Sequence, residues 1–266
     1  MYDGGYGGDY STEIMFRQGC IKARFSNDYT LTYPETVSDL GTVTLQSTTA
    51  TNGYTSAIRS DRFANKWKLF NPCTIGGVKC EVISTSVTPI EECSDVQGGW
   101  IKSYGAEISK HASVNVYYIG RNGGFGSINQ LVLQNQAMVD YGSSQYIVLG
   151  FHEPITRFPG NQSYITKMEA AFGDNFLYLN QEIRSRAAEI TYLCGVYDTI
   201  DGYNQESGAK DREYVSNGDI PLSLYRDDKL HPNYAGCQAF AILIHDKMVK
   251  LGYLNDNYIL SDGEDL

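Results

Sequence analysis

A chain of 266 residues can bury a full core, and one large domain carrying an insertion suits it better than two equal halves. Its 31 acidic side chains outnumber 21 basic ones, and a net charge of -10 repels phosphate backbones, which argues against a nucleic-acid partner. No apolar run is long enough to span a bilayer, and Met1-Tyr2-Asp3-Gly4-Gly5 has neither the basic nor the apolar region of a signal peptide.

The 21 tyrosines, 27 glycines and few lysines suit an extracellular or virion-surface protein better than a metabolic cytosolic enzyme. Six cysteines (Cys20, Cys73, Cys80, Cys93, Cys194, Cys237) form no C-x-x-C pair, so neither a zinc site nor a thioredoxin-type motif is expected. Cys73, Cys80 and Cys93 lie close enough in sequence for one local disulfide. A chain of this size does not need it, and all six are expected free and mostly buried. No metal and no cofactor is expected.

Taken in order, residues 1–20 open on the glycine-rich turn Gly4-Gly5-Tyr6-Gly7-Gly8, followed by a short helical pattern, Glu13 to Gln18, with Ser11 as its N-cap. Glycines packed this densely let backbone N–H groups approach a ligand or a developing charge; a floppy terminal tail is the plainer alternative. Residues 21–98 change character. Short β-type runs at 29–33, 42–45, 67–70 and 78–83 alternate with Ser, Thr, Asn and Gly turns, which predicts a small all-β subdomain.

Residues 99–254 alternate between the two periods. Helical patterns are read at 101–110, 128–141, 163–172 and 234–251, and strands at 114–119, 146–150 and 176–179. A less regular region, 183–226, precedes the last helix, whose Phe240, Leu243, Ile244, Met248 and Leu251 are expected to face inward. Apolar strands alternating with helices predict an α/β fold with a parallel sheet covered on both sides. Residues 255–266 are polar and acidic, a solvated tail.

The chemistry centres on Arg226-Asp227-Asp228-Lys229-Leu230-His231-Pro232. An Asp three residues before a His can place its carboxylate on Nδ1 and leave Nε2 pointing outward, which fixes the tautomer and stabilises an imidazolium. The same residues also fit a helix N-terminus with a solvent-facing His. Functional groups in a parallel sheet gather at the C-terminal ends of strands. Asn122 lies just beyond the strand at 114–119, within Gly120-Arg121-Asn122-Gly123-Gly124, although an Asn there can be a plain turn former. Its amide and the Gly8 backbone N–H would together make an oxyanion hole beside the His231 base.

Gly7-Gly8-Asp9, Ile119-Gly120-Arg121-Asn122 and Asp228-Lys229-Leu230-His231-Pro232, in this order, resemble the second, third and fifth sequence blocks of the SGNH (GDSL-type) hydrolases. Asn233-Tyr234-Ala235-Gly236 continues the last block. Gly4 to Gly19, Thr74-Ile75-Gly76-Gly77-Val78 and Ile220-Pro221-Leu222-Ser223-Leu224 more narrowly resemble SGNH proteins of bacteriophage tails and bacterial genomes. The resemblance implies a three-layer α/β/α flavodoxin-like fold carrying residues 21–98 as an insertion. It makes His231 the general base, Asp228 its orienting partner, and Gly8 and Asn122 the oxyanion donors. It implies a metal-free serine esterase, in many family members a deacetylase of carbohydrate.

The family's first block, Gly-Asp-Ser, does not occur in the sequence. The nucleophile is therefore expected outside this chain, on an upstream segment, in one case a separate polypeptide, that also supplies the first strands. Ser11 is the nearest candidate within it. The alternative to an esterase is a non-catalytic carbohydrate- or receptor-binding module of a phage tail or similar particle, using the tyrosine-rich β region to hold glycan. Either reading admits a homo-oligomer or virion assembly on an extracellular or virion surface.

Overall fold

The computed structural model describes residues 9–51, 71–154 and 161–254, arranged in two units, Met1–Ser144 and Gln145–Leu266. Gly8, the run at 67–70 and the acidic tail 255–266 lie outside the described residues. The fold is mixed α/β, with both helices and sheets in the first unit and a parallel strand pair in the second. No described helix is long and apolar enough to cross a membrane.

In the first unit, α1 (Ser11–Gln18) is capped by Tyr10, not by Ser11 as the sequence suggests. The Glu13 carboxylate reaches back to accept the Tyr10 N–H at 2.8 Å, and Ser11 becomes the first helical residue. The helix stops at Gly19, whose φ of +87° is left-handed and whose bare Cα lets Ala106 approach: a Cβ there would lie 2.2 Å from the Ala106 Cβ. A buried ion pair, Asp9 with Arg17, links the two ends of this helix.

Strands β1 (Ala23–Phe25), β2 (Thr30–Leu31), β3 (Val43–Leu45), β4 (Cys73–Ile75), β5 (Val78–Ile83), β6 (Ser86–Pro89), β7 (Val96–Gln97) and β8 (Ile101–Lys102) follow. Six of them make one antiparallel sheet in the order β3-β1-β8-β4-β5-β6, and β2 pairs with β7. The period-2 alternation puts Phe25, Leu45, Ile75, Val82 and Ile101 inside and their neighbours towards solvent. Gly76 and Gly77, at φ +59° and +90°, make the two-residue turn that joins β4 to β5. Ile101 and Lys102, expected to be helical, are instead the strand that joins β1 to β4. The helix α2 (Gly105–His111) starts only after Ser103, whose Oγ accepts the Gly105 N–H at 3.2 Å.

Strand β9 (Asn115–Tyr117) precedes the Asn122 loop, and α3 (Ile128–Tyr141) has the bounds read from the sequence. Its N-cap is Ser127, which accepts the Gln130 N–H at 3.2 Å. Leu131 and Met138 are buried along it, as are two polar residues, Gln134 and Asn135.

In the second unit, β10 (Tyr146–Gly150) and β11 (Phe176–Tyr178) pair in parallel with Val148 opposite Phe176, and α4 (Asn161–Phe172) lies between them in sequence. Ile147 to Gly150 are buried without interruption, the mark of a strand covered on both faces. The stretch expected to be irregular, 183–226, contains helices instead: α5 (Leu179–Ser185) ends in it, and α6 (Ala187–Leu193) and α7 (Ala209–Ser216) follow. They are too short to show a clear period in sequence and draw their stability from packing. The last helix, α8 (Tyr234–Lys250), buries Gly236, Ala239 and Leu243; Phe240 is half-buried. The six cysteines are free; Cys73, Cys80 and Cys194 are buried and Cys237 is exposed.

Candidate active site

The turn before α8 is built by local hydrogen bonds. Tyr225 bridges to Pro232, the Arg226 N–H donates to the His231 carbonyl at 2.8 Å, and Lys229 N–H donates to the Arg226 carbonyl at 2.9 Å. Closing so tight a loop forces Lys229 to a left-handed φ of +54°. It also turns the amides of Leu230 and His231 towards Asp228, whose Oδ1 accepts both at 2.9 Å. The other oxygen, Oδ2, lies 2.8 Å from His231 Nδ1.

Three donors on one carboxylate favour its charged form. The His231 backbone N–H is the largest cause, then the His231 ring and the Leu230 N–H, and together they hold Asp228 down at about 2. A carboxylate against Nδ1 places that ring proton on Nδ1, which leaves Nε2 with a lone pair in the neutral imidazole. Nε2 has no hydrogen-bond partner among the described residues, and the His231 side chain is 64% exposed. The arrangement suits a general base that can accept a proton from an incoming hydroxyl.

The turn is seated on α8 by Asn233. Its Oδ1 caps the helix by accepting the Gly236 N–H at 3.0 Å, while Nδ2 donates to the carbonyls of Ser223 and Tyr225 at 2.8 and 2.9 Å. Gly236 allows this close approach, since a Cβ there would lie 2.3 Å from the Leu224 carbonyl oxygen. Behind the turn, at the end of β10, the buried His152 has Nε2 3.2 Å from the Leu230 carbonyl oxygen.

Asn122 belongs to the first unit, and its side chain is exposed on the turn after β9. Gly120, Gly123 and Gly124 hold φ of +89°, +91° and +94°, a path only glycine follows without strain. The turn closes through Gly123 N–H to the Gly120 carbonyl at 3.0 Å. It is fastened by Gln134 Nε2 to the Gly124 carbonyl at 2.8 Å and by Ser11 N–H to the Gly123 carbonyl at 3.0 Å. The segment that follows Gly8 is thus tied to the loop that carries Asn122. The same contacts enclose Ser11: it is fully buried, with Gly124 packed on its hydroxyl, and offers no exposed nucleophile.

Of the residues expected from sequence, the structure brings Asp228 and His231 into direct contact. Asn122 lies in the other unit, and Gly8 lies outside the described residues. Sequence reading missed His152, although a His-Glu pair two residues past the end of a buried strand was a usable signal. Compared with known proteins, the chain matches no family model, and no curated protein or solved structure matches it significantly.

Proposed function

We propose that this chain is the larger, C-terminal part of an SGNH-type serine esterase that removes acyl groups, in particular acetyl, from surface carbohydrate. The observation that carries the reading is the Asp228–His231 pair, with Nδ1 2.8 Å from the carboxylate and Nε2 unengaged among the described residues. A helix N-terminus alone would not need a carboxylate bound to both the ring and the backbone of one His. The three-layer parallel fold, with residues 21–98 as an insertion, belongs to the same reading. So does a nucleophilic serine supplied from outside this sequence, on a segment that also adds strands to the sheet. An extracellular or virion-tail setting follows from the class of substrate.

In this mechanism His231 Nε2 takes the proton of the serine hydroxyl as its oxygen attacks the ester carbon. Asp228 stabilises the imidazolium so formed. The resemblance assigns stabilisation of the tetrahedral oxyanion to the Gly8 N–H and the Asn122 amide. Collapse breaks the ester C–O bond, and the proton on Nε2 passes to the departing sugar oxygen, which leaves as a hydroxyl. Water then repeats the sequence on the acyl-enzyme and releases the carboxylic acid.

The test is a fluorophosphonate serine probe applied to the native, unseparated preparation, with the labelled peptide identified by mass spectrometry. Label on a co-purifying polypeptide bearing Gly-Asp-Ser is expected. In that preparation His231→Ala should lower turnover by a factor on the order of 10⁴ to 10⁶. No label on folded protein would remove the esterase reading in favour of a binding module.

A further inference from the structure

The β-rich part of the first unit holds a cavity of about 340 Å³, lined by Arg24, Asp28, Tyr29, Thr44, Gly98 and Gly99 among others. That volume is within the range of small-ligand sites. We propose that it is a saccharide-binding site that takes one neutral hexose unit of a carbohydrate chain. The proposal rests on the carbohydrate-directed reading above for its class of ligand, and its geometry stands apart from the Asp228–His231 pair.

Three observations carry it. The cavity is preformed, because the loop after β1 is wired to the segment before β3. Ser26 N–H donates to the Thr42 carbonyl at 2.9 Å, Ser26 Oγ accepts the Thr42 N–H at 3.1 Å, and Asn27 Nδ2 donates to the Asp39 carbonyl at 2.9 Å. A site built this way loses little entropy on binding.

The walls have the chemistry of a sugar. The buried Tyr29 ring packs against Gly98, where a Cβ would fall 2.4 Å from it, and both line the cavity. The Arg24 guanidinium stands 5.1 Å over the Trp100 ring and is held there by cation–π attraction. A guanidinium donates to sugar hydroxyls, and the Asp28 carboxylate accepts from a vicinal pair. Both side chains line the cavity, and no ion pair joins Arg24 to Asp28 among the described residues. Asp28 in the same small cavity disfavours a sugar carboxylate by like-charge contact.

The third observation is Gly99. A Cβ there meets nothing within 4 Å, and its φ lies outside the left-handed region. Gly99 lines the cavity, and a Cβ can be added there without a clash.

The experiment is saturation-transfer NMR on the whole chain with methyl hexopyranosides of gluco, galacto and manno configuration, and with methyl glucuronide. At least one neutral hexoside should receive saturation. The signal should fall at least tenfold in Gly99→Phe and in Arg24→Ala, with unchanged thermal melting. Should Gly99→Phe not fold, Asp28→Ala at an exposed position should give the same loss. The proposal is overturned if no neutral hexoside is saturated, if only the glucuronide is, or if the signal survives these substitutions. Hexoside binding without any fluorophosphonate label would remove the esterase reading and leave this site standing. Label without hexoside binding would do the reverse.

Discussion

His152 Nε2 lies 3.2 Å from the carbonyl oxygen of Leu230, the residue directly before His231. A carbonyl can only accept, so Nε2 of His152 carries a proton. The ring packs on Phe240 of α8 at 5.3 Å and on Tyr225 at 5.9 Å, and the residue is 4% exposed. A buried imidazole at the end of β10 therefore sets where the His231 turn sits on its own unit. Replacing it should leave the Leu230 carbonyl without its donor and a gap beside Phe240.

His152→Ala is expected to destabilise the protein by about 2 kcal/mol, mostly through that unpaired carbonyl and the lost packing. Urea unfolding should show a lower midpoint at an unchanged slope. Hydrogen exchange should quicken at Leu230 and His231 before it does in β10. An unchanged midpoint would mean that the turn holds its place by local bonds alone.

The Asp228 turn has a defined dependence on pH. Its carboxyl is depressed from an ordinary value of 3.8 to about 2, so its bonds contribute fully above the unfolded value and are lost as pH falls through the folded one. A carbon-detected NMR titration of Asp228 should give a midpoint near 2. The amide protection of Leu230 and His231 should vanish across the same low-pH window, and at every pH in Asp228→Ala. A midpoint at the ordinary aspartate value would show that the carboxylate does not hold the turn in solution.

Gly124→Ala probes the joint between the start of α1 and the Asn122 loop. Gly124 has φ +94°, and a Cβ on it would lie 2.6 Å from Ser11 Oγ and 2.7 Å from Ser11 N, the latter backbone. Strain and overlap together should cost about 2 to 3 kcal/mol, because the obstructing atom cannot swing away. Thermal melting would read this directly. Gly123→Ala is left-handed too, but its Cβ would meet only the Tyr10 ring, at 4.0 Å, so it should cost less. Equal losses in the two variants would mean that backbone strain, and not the contact with Ser11, is responsible.

The parts of this protein legible in its sequence are those whose causes are local. Asp228 and His231 lie three residues apart, within reach of one turn's hydrogen bonds, and Ser127 and Gly142 flank the periodic run that becomes α3. The alternating runs at 30–31, 43–45 and 78–83 needed only their own pattern to be read as strands. Tertiary structure decided the rest. Ile101 and Lys102 are a strand because Ala23 and Ile75 offer ladders from distant parts of the chain, which outweighs a weak local helical preference. Ser11 lost its capping role because Glu13 caps Tyr10 and the Gly123 carbonyl claims the Ser11 amide. His152 acquired its role through Leu230, a partner no short-range spacing could reveal. A hydrogen bond between neighbours is written in residue order, whereas one between distant segments exists only after the chain has closed the loop between them.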